Sequence, residues 1–217
     1  MKILIIGQPE NFEEFKLKFG DEHEYSFYES LDQVDSEITA HDVLFDFSIE
    51  EAPEMVQAYN GVDIPVFLNT VKISLSELNY IYGLSDNVFG FNGIRTFVNR
   101  AQLEVTTLNN KALLKDTLSK LNTEFLVIDD RVGMVTPRVI MMVINEAFYT
   151  VQEGTAKKED IDLGMKLGTN YPYGPFEWTE KIGIKDVYET LEAMYDDTKD
   201  ERYKICPLLK QAYLKLS

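Results

Sequence analysis

The 217-residue sequence is poor in the residues that build metal, redox and nucleic-acid sites. It has one cysteine, Cys206, and two histidines, so an intrachain disulfide, a CxxC pair and a cysteine-based zinc site are excluded, and no metal site is predicted. Basic residues are also scarce, because 21 Lys and Arg stand against 37 Asp and Glu, for a net charge of −16. This balance argues against nucleic acid and anionic membranes as partners, since both need clustered cations.

Long apolar runs are missing as well. No run approaches the roughly 18 residues that a membrane span needs, and the opening "MKILIIG" is too short for a signal peptide and lacks its cleavage site. We therefore expect a cytoplasmic protein with no membrane partner. Hydrophobic residues at 45% and charged residues at 27% are ordinary values for a folded chain with a buried core.

Glycines are also missing after the first predicted strand. The run "KILII" and Gly7 form the usual beginning of a dinucleotide-binding turn, but "QPENF" follows where more glycines are needed. Such glycines let the backbone approach a pyrophosphate and offer it N–H groups. Pro9 has no N–H, and Glu10, Glu13 and Glu14 add negative charge near the phosphate position. The turn is therefore predicted to bind a dinucleotide poorly.

The first part of the chain alternates short apolar segments with amphipathic ones. Helices are predicted over residues 11–19, where Phe12, Phe15 and Phe19 share one face, and over residues 110–121. Alternation of this kind predicts a mostly parallel sheet covered by helices. The predicted strands are residues 3–6, 25–28, 43–47, 66–69, 88–92, 103–106 and 124–129.

From Thr136 onward the pattern is typical of helices only. The first of them is apolar on nearly every face and runs to a stop at Gly154, with Pro137 in its first turn. The sequence therefore predicts two domains, residues 1–130 and 131–217. The remaining predicted elements are a helix over 158–167 that stops at Gly168, a turn over 170–178, and helices over 179–195 and 205–216.

A specific series of short motifs lies between Asn145 and Glu177: N-E-A, E-G, K-E-D-I-D, M-K-L-G, N-Y-P and G-P-F-E. In this order and spacing the series resembles the C-terminal helical domain of the 3-hydroxyacyl-CoA dehydrogenases, which include the 3-hydroxybutyryl-CoA dehydrogenases. The resemblance implies an abbreviated Rossmann-like domain with a mostly parallel sheet, followed by an all-α domain. It also implies an oxidoreductase ancestry in fatty-acyl-CoA metabolism, with NAD as the cofactor.

Weaker matches extend the resemblance upstream and imply cofactor-binding positions. Gly7 ends the first strand, and Glu29 takes the place of the acid that binds the adenosine ribose. Asp46 and Glu50 fall where the family carries acids beside the cofactor, and Asn69 ends the strand that normally leads to a serine pair. Only residues 30–40 occupy the interval that holds two long helices in the family, so the domain is shortened.

The segment "VFGFNGIRTFVNRAQLEV" resembles the strand, turn and strand that carry the family's catalytic His-Glu dyad. There the histidine takes the substrate's hydroxyl proton as hydride leaves, and the glutamate orients the imidazole. Here Glu104 occupies the place of the acid, but Asn92 replaces the histidine. An amide accepts no proton near neutral pH, and losing a general base costs on the order of 10²- to 10⁴-fold in rate. His23 and His41 both precede strands, away from the strand ends where α/β ligands bind.

Three functional interpretations follow. In the first, the chain is a pseudoenzyme that has lost standard NAD-dependent catalysis and acts by binding or assembly. In the second, it is a divergent but active dehydrogenase or reductase that uses Glu104 with Lys72 or Arg95. In the third, it is a small-ligand sensor or a companion subunit of an intact paralogue. An open cleft around Asn69, Asn92 and Glu104 would favour an enzyme, whereas a cleft filled by Tyr and Phe would favour binding or assembly.

Two partners are expected from the resemblance and from the apolar first helix of the second domain. One is an acyl-CoA-like small molecule. The other is a second copy of the chain, which would form a homodimer through the helical domain. The predicted interface is an apolar helix–helix contact centred on Val139, Met142, Ile144 and Phe148.

Overall fold

The computed structural model describes residues 1–34 and 38–216. The chain forms two compact units, Met1–Met134 and Val135–Ser217. The first contains a seven-stranded sheet with helices, and the described part of the second contains five α-helices. None of the described helices is both long enough and apolar enough to cross a membrane.

The sheet of the first unit confirms the predicted fold class. Its strand order is β2-β1-β3-β4-β5-β6-β7, and every neighbouring pair is parallel except β5 and β6. All seven predicted strands are present, with ends that shift by at most two residues. The strands are β1 Lys2–Ile6, β2 Glu24–Tyr28, β3 Val43–Asp46, β4 Val66–Asn69, β5 Val88–Phe91, β6 Gln102–Thr106 and β7 Glu124–Val127.

Side chains alternate between the two faces of this sheet and build a core on each. One face carries Ile5, Phe45, Phe67 and Leu103, which pack with the buried residues of two helices. The opposite face carries a second set that includes Leu68. Burying an aliphatic or phenyl side chain of this kind contributes about 1.5–3 kcal/mol. The strands are therefore fixed in register by the burial of both faces.

The helices of the first unit are α1 Pro9–Phe19, α2 Leu75–Tyr82 and α3 Lys111–Lys120. The predicted phenylalanine face of α1 is confirmed: Phe15 and Phe19 are buried, with ring centroids 4.3 Å apart. Phe12 is half-buried and stacks on Phe27 at 4.8 Å. The Phe12–Phe27 contact holds α1 against β2, the edge strand of the sheet.

The connection from β2 to β3 is short, as the sequence indicates. It contains two single-turn 3₁₀ helices, Leu31–Gln33 and Ile38–Ala40. Residues 35–37, which belong to the predicted short interval, lie outside the described residues. In the described part of this connection there is no α-helix.

The second unit is built from α4 Thr136–Gln152, α5 Lys158–Thr169, α6 Pro175–Ile182, α7 Ile184–Thr198 and α8 Pro207–Leu214. The predicted turn over 170–178 and single helix over 179–195 were wrong. Pro175 starts α6 early because proline suits a first helical turn, and Gly183, at φ 98°, separates α6 from α7. The end of α5 also differs, since Asn170 adopts the left-handed conformation one residue after Thr169 instead of a stop at Gly168.

The motif residues of this unit hold its helices together. The Asp162 carboxylate of α5 accepts the backbone N–H groups of Phe176 at 2.8 Å and Glu177 at 3.2 Å. It therefore caps the N-terminus of α6, where a negative charge is favourable. A Cβ at Gly174 would collide with the Asp162 side chain, so this packing requires glycine.

Asn145 plays a similar role inside α4. Its side chain is buried, donates to the Lys204 carbonyl at 2.9 Å and accepts the Cys206 N–H at 2.8 Å. Both ends of the amide are thus used to hold the segment before α8. An unpaired buried amide would cost free energy, so this segment is fixed to α4.

Candidate functional site

The strand order places a ligand-binding position between β1 and β3. The sheet grows from β1 in both directions, with β2 on one side and β3 on the other. In open α/β sheets ligands bind beyond the carboxyl ends of the strands at such a reversal. Gly7 follows β1 here and Phe47 follows β3, and the other predicted site residues lie near the same ends of the strands.

An aromatic side chain occupies this position. Phe47 is only 8% exposed, and its ring lies 5.0 Å from that of Phe91. A Cβ on Gly7 would lie 2.8 Å from the Cβ of Phe47, which is too close for any other residue. The absence of a side chain at Gly7 is therefore explained by the packing of Phe47. Phe47 was not singled out in the sequence, where it reads as the last residue of a strand.

Backbone N–H groups at the N-terminus of α1 donate to acceptors within the same turn. The Asn11 and Phe12 N–H groups donate to the Gln8 carbonyl at 2.9 and 3.3 Å, and the Gln8 N–H donates to Asn11 Oδ1 at 3.0 Å. Pro9 at the first helical position has no N–H. A pyrophosphate site needs such donors directed at the ligand. The first turn of α1 therefore does not fit a dinucleotide.

Two predicted site residues, Glu50 and Asn69, are joined by hydrogen bonds to each other and to the turn after β5. Asn69 Nδ2 donates to Glu50 Oε2 at 2.9 Å, and the Lys72 N–H donates to Glu50 Oε1 at 2.6 Å. Asn69 Oδ1 accepts the Gly93 N–H at 2.9 Å. A Cβ on Gly93 would lie 2.8 Å from Asn69 Cγ, so the turn needs glycine there. This chain of contacts connects the ends of β3, β4 and β5, and we name it the Glu50–Asn69 bridge.

Asn92, which directly follows β5, lies beside Glu104 in the middle of β6. The Asn92 N–H donates to the Glu104 carbonyl at 3.0 Å, and Asn92 Nδ2 lies 3.5 Å from Glu104 Oε2. Asn92 Oδ1 accepts the Ile94 N–H at 3.4 Å. Both side chains are buried, with exposures of 1% and 8%. The structure thus brings the predicted pair together, but the amide is bonded within its own turn and offers no proton acceptor of useful basicity.

Asp46 forms a separate buried cluster at the end of β3. Asp46 Oδ1 accepts the backbone N–H and the hydroxyl of Ser48, both at 2.7 Å, and Oδ2 accepts the Tyr59 hydroxyl at 2.7 Å. Burial raises the pKa of Asp46, and the hydrogen bonds from Ser48 and Tyr59 oppose that rise. Burial, followed by the Asp46 charge, raises the pKa of Tyr59 strongly. Sequence inspection missed Ser48 and Tyr59, although an Asp followed two residues later by Ser is a common turn pattern.

Glu29 and the two histidines lie at opposite ends of the strands. Glu29 is exposed after β2, where its N–H donates to Gln33 Oε1 at 3.3 Å. His23 and His41 precede β2 and β3, as predicted, and His41 Nε2 lies 2.8 Å from Ser26 Oγ. Burial and then the N-terminal ammonium lower the pKa of His23. Among the described residues there is no cluster of three or more His, Cys, Asp or Glu that could hold a metal ion.

The comparison with known protein families identifies the helical unit. The family model of the 3-hydroxyacyl-CoA dehydrogenase C-terminal domain matches residues 133–215. The chain is 43% identical over 89 residues to the 3-hydroxyadipyl-CoA dehydrogenase of Escherichia coli, covering 41% of this chain and 19% of that protein. It is 38% identical over 115 residues to a probable 3-hydroxybutyryl-CoA dehydrogenase of Bacillus subtilis, covering 53% of this chain and 38% of that protein.

The helical unit, over residues 133–215, belongs to the 3-hydroxyacyl-CoA dehydrogenase C-terminal domain family. The chain spans less than two fifths of the length of either of these two relatives. The crystal structure of (S)-3-hydroxybutyryl-CoA dehydrogenase from Ralstonia eutropha has the same fold, with a TM-score of 0.74 at 20% identity over 99% of this chain and 93% of that one. The motif series that predicted the family lies within the residues that the family model matches.

Proposed function

We propose that this family member does not perform standard NAD-dependent hydride transfer and acts by binding an acyl-CoA-like molecule or by assembly. The observation that carries the proposal is the Asn92–Glu104 pair. Asn92 stands where the resemblance places the catalytic histidine, and its amide is buried against the Glu104 carboxylate. The two histidines of the chain precede β2 and β3, at the opposite ends of the strands from this pair.

The cofactor position supports the same proposal. Phe47 packs against Gly7 at the strand reversal, and the Asn11 and Phe12 N–H groups of α1 donate to the Gln8 carbonyl. Glu10 in the first turn of α1 and Glu13 in the next are both exposed and would repel a pyrophosphate. These residues therefore do not fit NAD as a cofactor.

A second candidate function is that of a divergent dehydrogenase or reductase. The Glu50–Asn69 bridge and the Asn92–Glu104 pair favour it, because they place two carboxylates and two amides near the carboxyl ends of β3, β4 and β5. A carboxylate in such a position can act as a general base when its surroundings adjust its pKa. This candidate requires a cofactor site that replaces the broken glycine turn.

Assembly would use the exposed face of α4. A groove of about 640 Å³ lies on this face, and its walls include Val139, which is 52% exposed, and Met142. The predicted interface centre needs correction, because Ile144 and Phe148 are 0% and 3% exposed within their own unit and point into its core. An apolar helix face of this kind is typical of a protein–protein contact. We propose a homodimer through this groove.

The deciding experiment is a titration of NADH into the purified protein, followed by nicotinamide fluorescence, with and without acetoacetyl-CoA. We expect no saturable binding at millimolar cofactor and no oxidation of NADH. Saturable binding in the micromolar range together with oxidation would overturn the proposal and support the divergent enzyme. A separate calorimetric titration of acetoacetyl-CoA without NADH tests the ligand-binding form of the proposal, which saturable binding would support.

A further inference from the structure

Arg95 is a cation without a partner in an acidic chain. It lies in the turn between β5 and β6 and is half-buried. Within residues 1–34 and 38–216 its guanidinium makes no hydrogen bond or ion pair, although the chain has 37 Asp and Glu against 21 Lys and Arg. Withdrawing a charge from water without pairing it costs free energy, so charged side chains that are withdrawn from water are normally paired. The position of Arg95 therefore favours a ligand as its partner.

The turn around Arg95 is fixed by the rest of the first unit. Glu14 of α1 accepts the Thr96 N–H at 2.8 Å and the Asn99 N–H at 3.0 Å. Phe97 anchors the same turn, since its side chain is only 2% exposed. The backbone of Arg95 is thus held by its neighbours and not by contacts of its own guanidinium. A side chain on a fixed backbone loses less freedom when it binds a ligand.

Thr96 is a second unusual feature of this turn. Its φ of 77° lies in the left-handed region, which β-branched residues rarely adopt. Its hydroxyl oxygen is buried and has no hydrogen-bond partner in the described part of the chain. Strained backbone of this kind persists where the surrounding structure enforces it, and it is concentrated at ligand-binding positions. Adjacent residues of the turn therefore carry an unpaired guanidinium and an unpaired hydroxyl.

The turn begins at the candidate site. Asn92 and Gly93, which open it, contact Glu104 and Asn69. These contacts lie at the carboxyl ends of β4 and β5, and ligands of open α/β sheets bind beyond such strand ends. Arg95 follows Asn92 by three residues, so its guanidinium is the nearest unpaired positive charge along the chain to this position.

We propose that Arg95 binds an anionic oxygen group of the ligand, a carboxylate or a phosphate. This inference rests on the ligand-binding form of the proposed function and names a group that the ligand must carry. The planar N–H groups of a guanidinium match the paired oxygens of either anion. Two parts of an acyl-CoA-like molecule carry such a group. They are the free carboxylate of a dicarboxylic acyl chain and the phosphates of CoA.

The test is calorimetric titration of adipyl-CoA, hexanoyl-CoA and coenzyme A into the native protein, Arg95→Gln and Arg95→Lys. Adipyl-CoA and hexanoyl-CoA have acyl groups of equal carbon number, and only the first ends in a carboxylate. We expect Arg95→Gln to weaken binding by about 10- to 100-fold, the contribution of a hydrogen bond between charged groups. Arg95→Lys should lose less, because it keeps the charge but not the planar pair of donors.

The three probes distinguish the two sources of the anion. A loss confined to adipyl-CoA would assign Arg95 to the acyl carboxylate, whereas an equal loss for all three probes would assign it to a CoA phosphate. Lys115→Gln removes the same charge from the exposed side of α3 and is the matched control. It should bind every probe as the native protein does.

Urea unfolding separates ligand contact from a structural role. Because Arg95 has no partner within the described residues, Arg95→Gln should unfold at the same urea concentration as the native protein or at a higher one. A lower midpoint would show a structural role and overturn the inference. Unchanged affinity of Arg95→Gln for probes that the native protein binds would overturn the assignment to Arg95 alone. A native protein that binds none of the probes would overturn the ligand-binding form of the proposed function as well.

Discussion

The amide of Asn92 lies against the carboxylate of Glu104, with Nδ2 3.5 Å from Oε2 and the two residues also joined through their backbones at 3.0 Å. In the family's dyad the corresponding contact orients an imidazole. Here the same geometry holds a group that cannot take a proton. The proposed function therefore separates two properties, the geometry of this turn and its lack of a basic group, and each can be tested.

Glu104→Gln tests whether the remaining acid does any chemistry. If the proposal is right, the variant should bind acetoacetyl-CoA as the native protein does and should show the same background rate with NADH. Glutamine fills the same volume and still accepts a hydrogen bond from Asn92, so the fold should persist. Stopped-flow absorbance of NADH measures the background rate, and a thermal melt measures whether the fold persists. A large loss of activity without a loss of stability would favour the divergent enzyme.

Asn92→His restores an imidazole beside Glu104. We expect no gain of NADH-dependent activity, because Phe47 and the first turn of α1 still leave no fitted position for the cofactor. The measurement is NADH oxidation with acetoacetyl-CoA at millimolar cofactor. Asn79→His, on the exposed side of α2, is a control for the added imidazole. A rise of about 10²-fold, the lower range for a restored general base, would show that only the base was missing.

Much of the fold follows from local pattern, but the site does not. The seven strands were predicted because each is a short apolar run bounded by turn residues, and the burial of both sheet faces then fixes them. The Glu50–Asn69 bridge could not be predicted from pattern alone, because it joins residues 19 positions apart. Only the resemblance to the family suggested that Glu50 and Asn69 belong to one site.

The errors in the helical unit have equally specific causes. The helix predicted over 179–195 ignored Gly183, whose positive φ ends α6, and the capping of α6 by Asp162 depends on a contact between helices. Ile144 and Phe148 were placed at the interface because α4 is apolar on most of its surface. Hydrophobicity alone does not say which face of such a helix meets its own core.

Tyr59→Phe should destabilise the protein in a pH-dependent way. The lost hydroxyl donates to the buried Asp46 carboxylate, and a hydrogen bond to a charged group contributes about 1.5–3 kcal/mol. Burial already raises the pKa of Asp46 in the folded state, and removing Tyr59 should raise it further. When the pKa of a carboxyl group is higher in the folded state than in the unfolded state, the free energy of unfolding falls as the pH rises from the unfolded pKa to the folded pKa. The difference between the native protein and the variant should therefore be small near pH 4 and larger at pH 7.

Urea unfolding at these two pH values measures this difference. Tyr80→Phe is the matched control, because the Tyr80 side chain is 90% exposed and should contribute little at either pH. An equal loss of stability at both pH values would show that the Tyr59 hydroxyl does not act through the charge of Asp46.

Asp162→Ala should destabilise the helical unit by about 1–2 kcal/mol, the usual cost of losing a helix cap. The reason is that the Asp162 carboxylate satisfies the N–H groups of Phe176 and Glu177 at the start of α6. Asp160→Ala, on the exposed side of the same helix, should change the free energy of unfolding by no more than a few tenths of a kcal/mol. Urea denaturation of both variants measures the effect. If Asp162→Ala were as stable as Asp160→Ala, the motif shared with the family would need an explanation other than the capping of α6.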